Sequence, residues 1–405
     1  MNILLINHYA GSPDLGMEFR PYYMAREWVK SGHRVLIIGA TYSHLRRIQP
    51  DKGRQHVDGI DYYWVKTNVY KGNGLGRVYS MFLFVFKLMF CLRNVYRSFD
   101  PDLVIASSTY PLDIYPAKKI AKKYHAKLVY EVHDLWPLSP MEVGGYSKWH
   151  PFIQVMQWAE NYAYKNVDKV ISFLWNSEQY MREHGLAEGK FKCIPNGYRK
   201  EDWEGPVFLK NLPEEHRVLF GQLENKVIVG FAGGFAASGS LHTLIQAAAT
   251  LQEHAALAFV LVGKGAEEET LKGMVKEKGL QNVYFLPSVE KKHIPLINSR
   301  FDIAFMGGVH SCLHKYGTSY NKLTDYMLSS KPIVQAIDEP GSLVERIRCG
   351  IRVEAENPGQ VADAIIKIVN MSFEERRIMG ERGRRYAIEN LEWNSLANAF
   401  IAEVE

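Results

Sequence analysis

Two short segments hold most of the side chains that could do chemistry. In LVYEVHDLWP, Glu131, His133 and Asp134 cluster at the end of an apolar run, where a histidine flanked by carboxylates can take, hold or return a proton. In YGTSYNKLTDYMLSSKPIV, the small residues Gly317, Thr318 and Ser319 lead to a helix expected to begin near Tyr320. Its first turn carries Asn321 and Lys322, and Asp325 falls one turn later on the face of Asn321. Free amides at such a start and the Lys322 ammonium suit phosphate oxygens. A carboxylate placed like that of Asp325 can accept hydrogen bonds from two ribose hydroxyls. A capped helix before a buried strand would also explain the small residues, but not the conjunction of Asn, Lys and Asp.

Three weaker loops have phosphate-approach character. HYAGSPDLGMEFR places Gly11 and Gly16 ahead of a helix expected from near Met17, without the GxGxxG spacing of a dinucleotide site. FAGGFAASGSLHTLI puts Gly233 and Gly234 after a strand and Gly239 at a helix start. LVGKGAEEETL sets Lys264 between two glycines, where an ammonium could meet a diphosphate. Each of these is equally readable as an ordinary turn.

The elements that must position these groups follow from periodicity. Short Val- and Ile-rich runs alternate with helix-length amphipathic stretches, the pattern of βαβ units and parallel sheets. NILLINHY, RVLIIGAT, LVIASS, KLVYEVHD and KVISFL read as strands, with helices near 17–31, 77–98, 112–124 and 152–166. After a polar passage around 197–224 the pattern restarts with KVIVGFAGG, ALAFVLVG, VYFLPS, DIAFMG and KPIVQAI, and helices close the chain. The reading is an α/β chain of two Rossmann-like domains facing across a cleft: 1–200, 201–385, and a C-terminal helix over 386–405 able to pack back on the first.

Charge and composition narrow the partners. Residues 1–200 carry 27 Lys+Arg and 17 Asp+Glu, net +10; subtraction from the whole-chain 49 and 44 leaves 22 and 27, net −5, for the remainder. A basic first half suits an anionic partner. No nucleic-acid recognition motif accompanies it. Cys91, Cys193, Cys312 and Cys349 are scattered without CxxC spacing, which predicts buried free thiols in place of disulfides or a zinc site. The start has no basic leader pattern and reads as a strand, which predicts a cytoplasmic protein. The stretch from Arg77 to Arg97, RVYSMFLFVFKLMFCLRNVYR, fits an interfacial helix at a membrane surface or a helix of the first domain's core.

Taken in order along the chain, HYAGSPDLGMEFR, KSGHRVLIIG, EVHDLWP, IPNGY, LVGKGAEEETL, NVYFLPSV, NKLTDYMLSSKPIV and MGERGRRYAIENLEW resemble glycosyltransferase family 4, the retaining GT-B enzymes. The likeness spans nearly the whole chain. The NKLTDYM form is most similar to the bacterial branch that adds amino-sugars in O-antigen and capsule assembly, such as the fucosamine transferases. The resemblance implies that Gly16 lies beside the donor diphosphate, that His133 meets the donor sugar near its 6-position, and that Asn321, Lys322 and Leu323 run along the phosphates. Asp325 stands where the second glutamate of the family's E-x(7)-E motif belongs and would bind ribose. The first glutamate's position is Gly317, and the family's Arg and Lys phosphate pair is absent from GGFAASGSLHTL, with Lys264 or Lys322 left to replace it.

The expected reaction is transfer of a sugar, an N-acetylated or deoxy hexose, from a UDP-linked donor to a lipid-linked saccharide. Glu131, His133 and Asp134 are the catalytic candidates. Gly16, Gly234, Lys264, Ser319, Tyr320, Asn321, Lys322, Leu323 and Asp325 are the donor-binding ones. No metal motif is convincing, since Asp100-Pro101-Asp102 precedes a strand as an ordinary loop, so no cofactor is expected. Two alternatives stand beside this reading: a soluble GT-B enzyme acting on a small-molecule acceptor or a sugar nucleotide, and a non-catalytic partner subunit.

Overall fold

A computed structural model describes residues 1–204 and 212–405. Of the polar passage expected around 197–224, residues 205–211 lie outside the described residues. The chain divides into two units, one of Met1–Asn196, Tyr316–Thr318 and Trp393–Glu405, the other of Gly197–Lys315 and Ser319–Glu392.

The first unit is built on eight strands: β1 (Asn2–Ile6), β2 (Arg34–Ala40), β3 (Gly53–Val57), β4 (Ile60–Val65), β5 (Leu103–Ala106), β6 (Lys127–Val132), β7 (Lys169–Ser172) and β8 (Phe191–Cys193). They lie in the order β3-β4-β2-β1-β5-β6-β7-β8. All neighbours are parallel except β3 and β4. Strands of a parallel sheet are covered on both faces and so read as continuous apolar runs. Alternate residues then serve opposite cores. Leu4, Ile6, Leu36, Ile38 and Val104 face one. Ile3, Leu5, Val35, Ile37 and Leu103 face the other, which also takes Leu396, Phe400 and Ile401 of the terminal helix Trp393–Ala402.

The second unit holds β9 (Val227–Gly234), β10 (Leu257–Lys264), β11 (Val283–Leu286), β12 (Ile303–Gly307), β13 (Ile333–Ala336) and β14 (Gly350–Val353). Their order is β11-β10-β9-β12-β13-β14, all parallel. Both sheets wind outward in one direction and then restart on the other side of their first strand, the Rossmann arrangement. Ligands of such sheets bind at the carboxyl ends of strands beside that reversal, here the ends of β1 and β5 and of β9 and β12.

Three expectations change. The first helix runs Arg20–Lys30, with Pro21 in its first turn, where a missing N–H costs nothing, and so starts three residues after Met17. The stretch from Arg77 to Arg97 is not one helix but two, Leu75–Phe90 and Arg93–Phe99, bent by 59°. The buried Leu92 anchors the break, and the bend lets Val95, Tyr96 and Phe99 reach the core. The cysteines are all free, yet only Cys349 is buried, while Cys91 and Cys312 are exposed.

Candidate active site

In the first unit the residue that organises the carboxyl strand ends is Glu131, near the end of β6 and 2% exposed. Its Oε1 accepts from Arg20 Nε at 2.9 Å, and its Oε2 accepts from Ser107 Oγ at 2.6 Å. His133 Nε2 lies 2.9 Å from Ser107 Oγ and 3.3 Å from Glu131 Oε2. The hydroxyl hydrogen of Ser107 is committed to the carboxylate, so its oxygen is free to accept from the His133 Nε2–H. The histidine ring rests against Phe173, centroids 4.4 Å apart, and the Arg20 guanidinium lies 4.1 Å over the same phenyl ring. Arg20 also donates to the carbonyls of Pro195 and Ile194, at 2.6 and 3.0 Å.

Burial alone would raise the Glu131 carboxyl. The Arg20 charge, helped by His133 and Ser107, overcomes it and holds the group down at about 2. Glu131 is therefore a fixed anion that orients Ser107 and His133. Asp134 does different work: its Oδ1 accepts from Leu135 N at 2.9 Å and Ser139 Oγ at 2.5 Å, fastening the turn before the helix Leu138–Gly144. Gly16 lies in the loop after β1 at φ 106°, bridged to Ser12 and Arg46.

In the second unit the candidate residues gather around the ends of β9 and β10. Gly234 and Lys264 are register partners as those strands finish, and Phe235 N–H donates to the Lys264 carbonyl at 2.9 Å, tying the two following loops together. The helix Asn321–Leu328 buries Leu323, Tyr326 and Met327; Lys322, one turn before Tyr326, shares its β9-facing side, while Asn321 and Asp325 lie one turn apart on another face. Tyr326 pins that helix to β9 by accepting from Ala232 N–H at 3.1 Å. Lys322 is thereby laid over the Phe231 ring, Nζ 4.5 Å from the centroid, and against Gly233, where any Cβ would fall inside the lysine chain. The half-buried ammonium has no carboxylate partner among the described residues, and burial lowers its pKa.

Asp325 is partly exposed, and its carboxylate has no hydrogen-bond donor among the described residues. Burial lifts it to about 6 against the pull of Lys291, with Asp202 adding to the rise. Ser319 is half-buried, Tyr320 is 40% exposed with its hydroxyl 3.4 Å from His314 Nε2, and Asn321 is exposed. An ammonium beside the glycine end of β9 can meet an anionic oxygen, and a carboxylate one helical turn along can accept from hydroxyls.

Sequence reasoning missed Arg20, Ser107, Phe173, Phe231 and Lys291. The signal available for Arg20 was a charged residue directly ahead of the apolar run 21–25 of its helix; the others are ordinary residues brought in by the sheet. Among the described residues no three His, Cys, Asp or Glu side chains converge as a metal-binding group.

Residues 16–201 match the family model described as Glycosyltransferase Family 4, and residues 214–386 match that described as Glycosyl transferases group 1. No curated protein matches the chain. Similar solved structures include Anabaena HepE in complex with UDP, at 17% identity and TM-score 0.69 over 99% of each chain. Sucrose-phosphate synthase from Thermosynechococcus elongatus is 16% identical, with TM-score 0.73 over 99% of this chain and 97% of that one. WaaG, a glycosyltransferase involved in lipopolysaccharide biosynthesis, is 14% identical, with TM-score 0.63 over 99% of each. At these identities the likeness establishes the GT-B fold. The chain is a glycosyltransferase, assembled from a Glycosyltransferase Family 4 domain and a Glycosyl transferases group 1 domain.

Proposed function

We propose that this glycosyltransferase moves an N-acetylated or deoxy hexose from a UDP-linked donor to a lipid-linked saccharide in bacterial surface polysaccharide synthesis, with retention and without a metal. The observation that carries the donor half is the unpartnered Lys322 ammonium at Gly233, three residues before the unpartnered Asp325 carboxylate. A departing nucleoside diphosphate develops negative charge, and a fixed ammonium beside helix amides can stabilise it without an ion. In this reading Asn321, Leu323, Ser319, Tyr320, Gly234 and Lys264 complete the donor site, Asp325 takes the ribose, and His133, held by Glu131 and Ser107, is reserved for the transferred sugar. UDP is favoured because HepE was solved with it, and the surface-polysaccharide setting because WaaG acts in lipopolysaccharide synthesis. Retention, the amino-sugar branch and work at the inner face of the cell membrane rest on the family resemblance.

The test is thermal stabilisation across UDP, GDP, ADP and their sugar conjugates, with and without EDTA. UDP conjugates should raise the melting temperature, EDTA should not reverse it, and Lys322→Met, which keeps the stack on Phe231, should abolish most of it. Absence of a shift with every nucleotide would sink the donor assignment.

A further inference from the structure

The helix Leu75–Phe90 has two apolar sides. One, with Met81, Phe84 and Leu88, is buried in the first unit. Leu75, Tyr79, Phe82, Phe86 and Phe90, spaced by three or four residues, form a second row that is 43% to 87% exposed. A soluble helix has no structural use for such a row of exposed aromatics.

The charge beside the row is of one sign. Segments 75–99 and 114–124 contain eight Lys or Arg and no Asp or Glu. Arg77 is occupied, donating to Tyr9 and Asn73, and Lys87 is tied to the Lys66 carbonyl. Arg93, Arg97, Lys122 and Lys123 are exposed, and Arg93, Arg97 and Lys123 with Asn94 and Tyr124 line one open pocket. An apolar groove adjoins it, walled by Leu88, Met89, Phe90, Tyr96, Pro116 and Ile120. Lys119 links groove to row, its ammonium 5.0 Å over the Phe90 ring. No single described helix is long and apolar enough to cross a membrane, and the bend at Cys91–Leu92 sets the basic turn at the end of the aromatic row.

We infer that this face docks on a bilayer containing anionic lipid. Tyr79, Phe82, Phe86 and Phe90 enter the headgroup boundary, and Arg93, Arg97 and Lys123 take lipid phosphates in the basic pocket. The inference deepens the reading of a lipid-linked acceptor and rests on it for its purpose, while its test uses neither donor nor acceptor.

The full chain is floated with phosphatidylcholine vesicles that contain or lack phosphatidylglycerol. Binding should require phosphatidylglycerol and weaken as salt rises. Arg93→Glu with Arg97→Glu should cut it about tenfold or more. Phe82→Ser with Phe86→Ser should cut it without altering the lipid preference. Melting temperatures of the unliganded variants establish that they fold, and a UDP shift in the same samples reports the donor site separately. No flotation on phosphatidylglycerol vesicles by the folded wild type overturns the inference, as does equal binding to both vesicle types. A concentration-dependent dimer that excludes vesicles overturns it too, since the aromatic row would then be covered by a second copy.

Discussion

Arg20 Nε and Glu131 Oε1 sit 2.9 Å apart although 111 residues separate them in the chain, and both side chains are within 2% of full burial. Through Ser107 and His133 this ion pair fixes the polar groups at the end of β6, so its loss should be felt in stability and in the histidine together.

Arg20→Met leaves the Glu131 charge buried without its main partner, a change that costs about 3–5 kcal/mol. In the wild type the carboxyl is held near 2 against an ordinary 4.5. A depressed carboxylate stabilises the fold above its unfolded value, and this contribution is lost as pH falls through the folded value. The wild type should therefore lose it between about pH 4.5 and 2. In Arg20→Met burial is no longer offset by the guanidinium and pushes the carboxyl up, so the variant should gain stability as pH falls and the buried group is protonated, and Arg20→Met with Glu131→Gln should recover part of the stability at neutral pH. Thermal melts across pH check this; a single variant as mild as a surface change, about 0.5 kcal/mol, would refute the pair's role.

Asp325 predicts a pH dependence of donor binding. Raised to about 6 by burial, its carboxyl becomes protonated just below neutrality; one oxygen then carries a hydrogen and the charge that strengthens the proposed bonds from two ribose hydroxyls is gone. Affinity for UDP-glucose, whose diphosphate diester does not itself titrate there, should fall as pH drops through 6. A charge-assisted hydrogen bond is worth about 1.5–3 kcal/mol, so the loss should reach roughly tenfold or more. Asp325→Asn should bind weakly at every pH with the slope removed. Calorimetric titration from pH 5 to 8 decides it; an unchanged slope in the variant would place the titrating group elsewhere.

The elements that were readable in the sequence are those whose signal is local. β1 and β9 are apolar runs between turns, and Lys322 with Asp325 is a helical spacing, so neither needed tertiary information. The β3–β4 hairpin had a local signal too: Asp58 and Gly59 take φ of 49° and 83°, as a two-residue hairpin turn demands, but GRQHV is too polar to read as a Val and Ile run, and IDYYWV is aromatic where the other strands are aliphatic. The break at Cys91–Leu92 was hidden because apolar periodicity persists through it and only core packing bends the helix. Arg20 meeting Glu131 and Phe231 under Lys322 come from strand order, which periodicity does not encode.

Gly317 carries the last prediction. The family motif that the chain resembles has a glutamate at this position, so restoring it by Gly317→Glu looks like a repair. The structure opposes that. Gly317 has φ 102°, in the left-handed region, and a Cβ there would lie 2.6 Å from Trp175 Cδ1 and 2.8 Å from its Nε1. The neighbourhood is held from both sides, since Asn176 N–H donates to the Tyr316 carbonyl at 3.0 Å and the Tyr316 ring packs edge-on against Tyr180. A glutamate must therefore bear backbone strain of about 1–3 kcal/mol and overpacking of similar size. Gly317→Glu should lower the melting temperature and weaken sugar-nucleotide binding; adding Trp175→Ala should relieve the clash with the indole but leave both the 3.0 Å approach to the Trp175 backbone N and the cost of the positive φ. Gly317→Glu with a wild-type melting temperature and tighter donor binding would show that Trp175 yields the space, and that the glycine is a vacancy in the motif instead of a fitted contact.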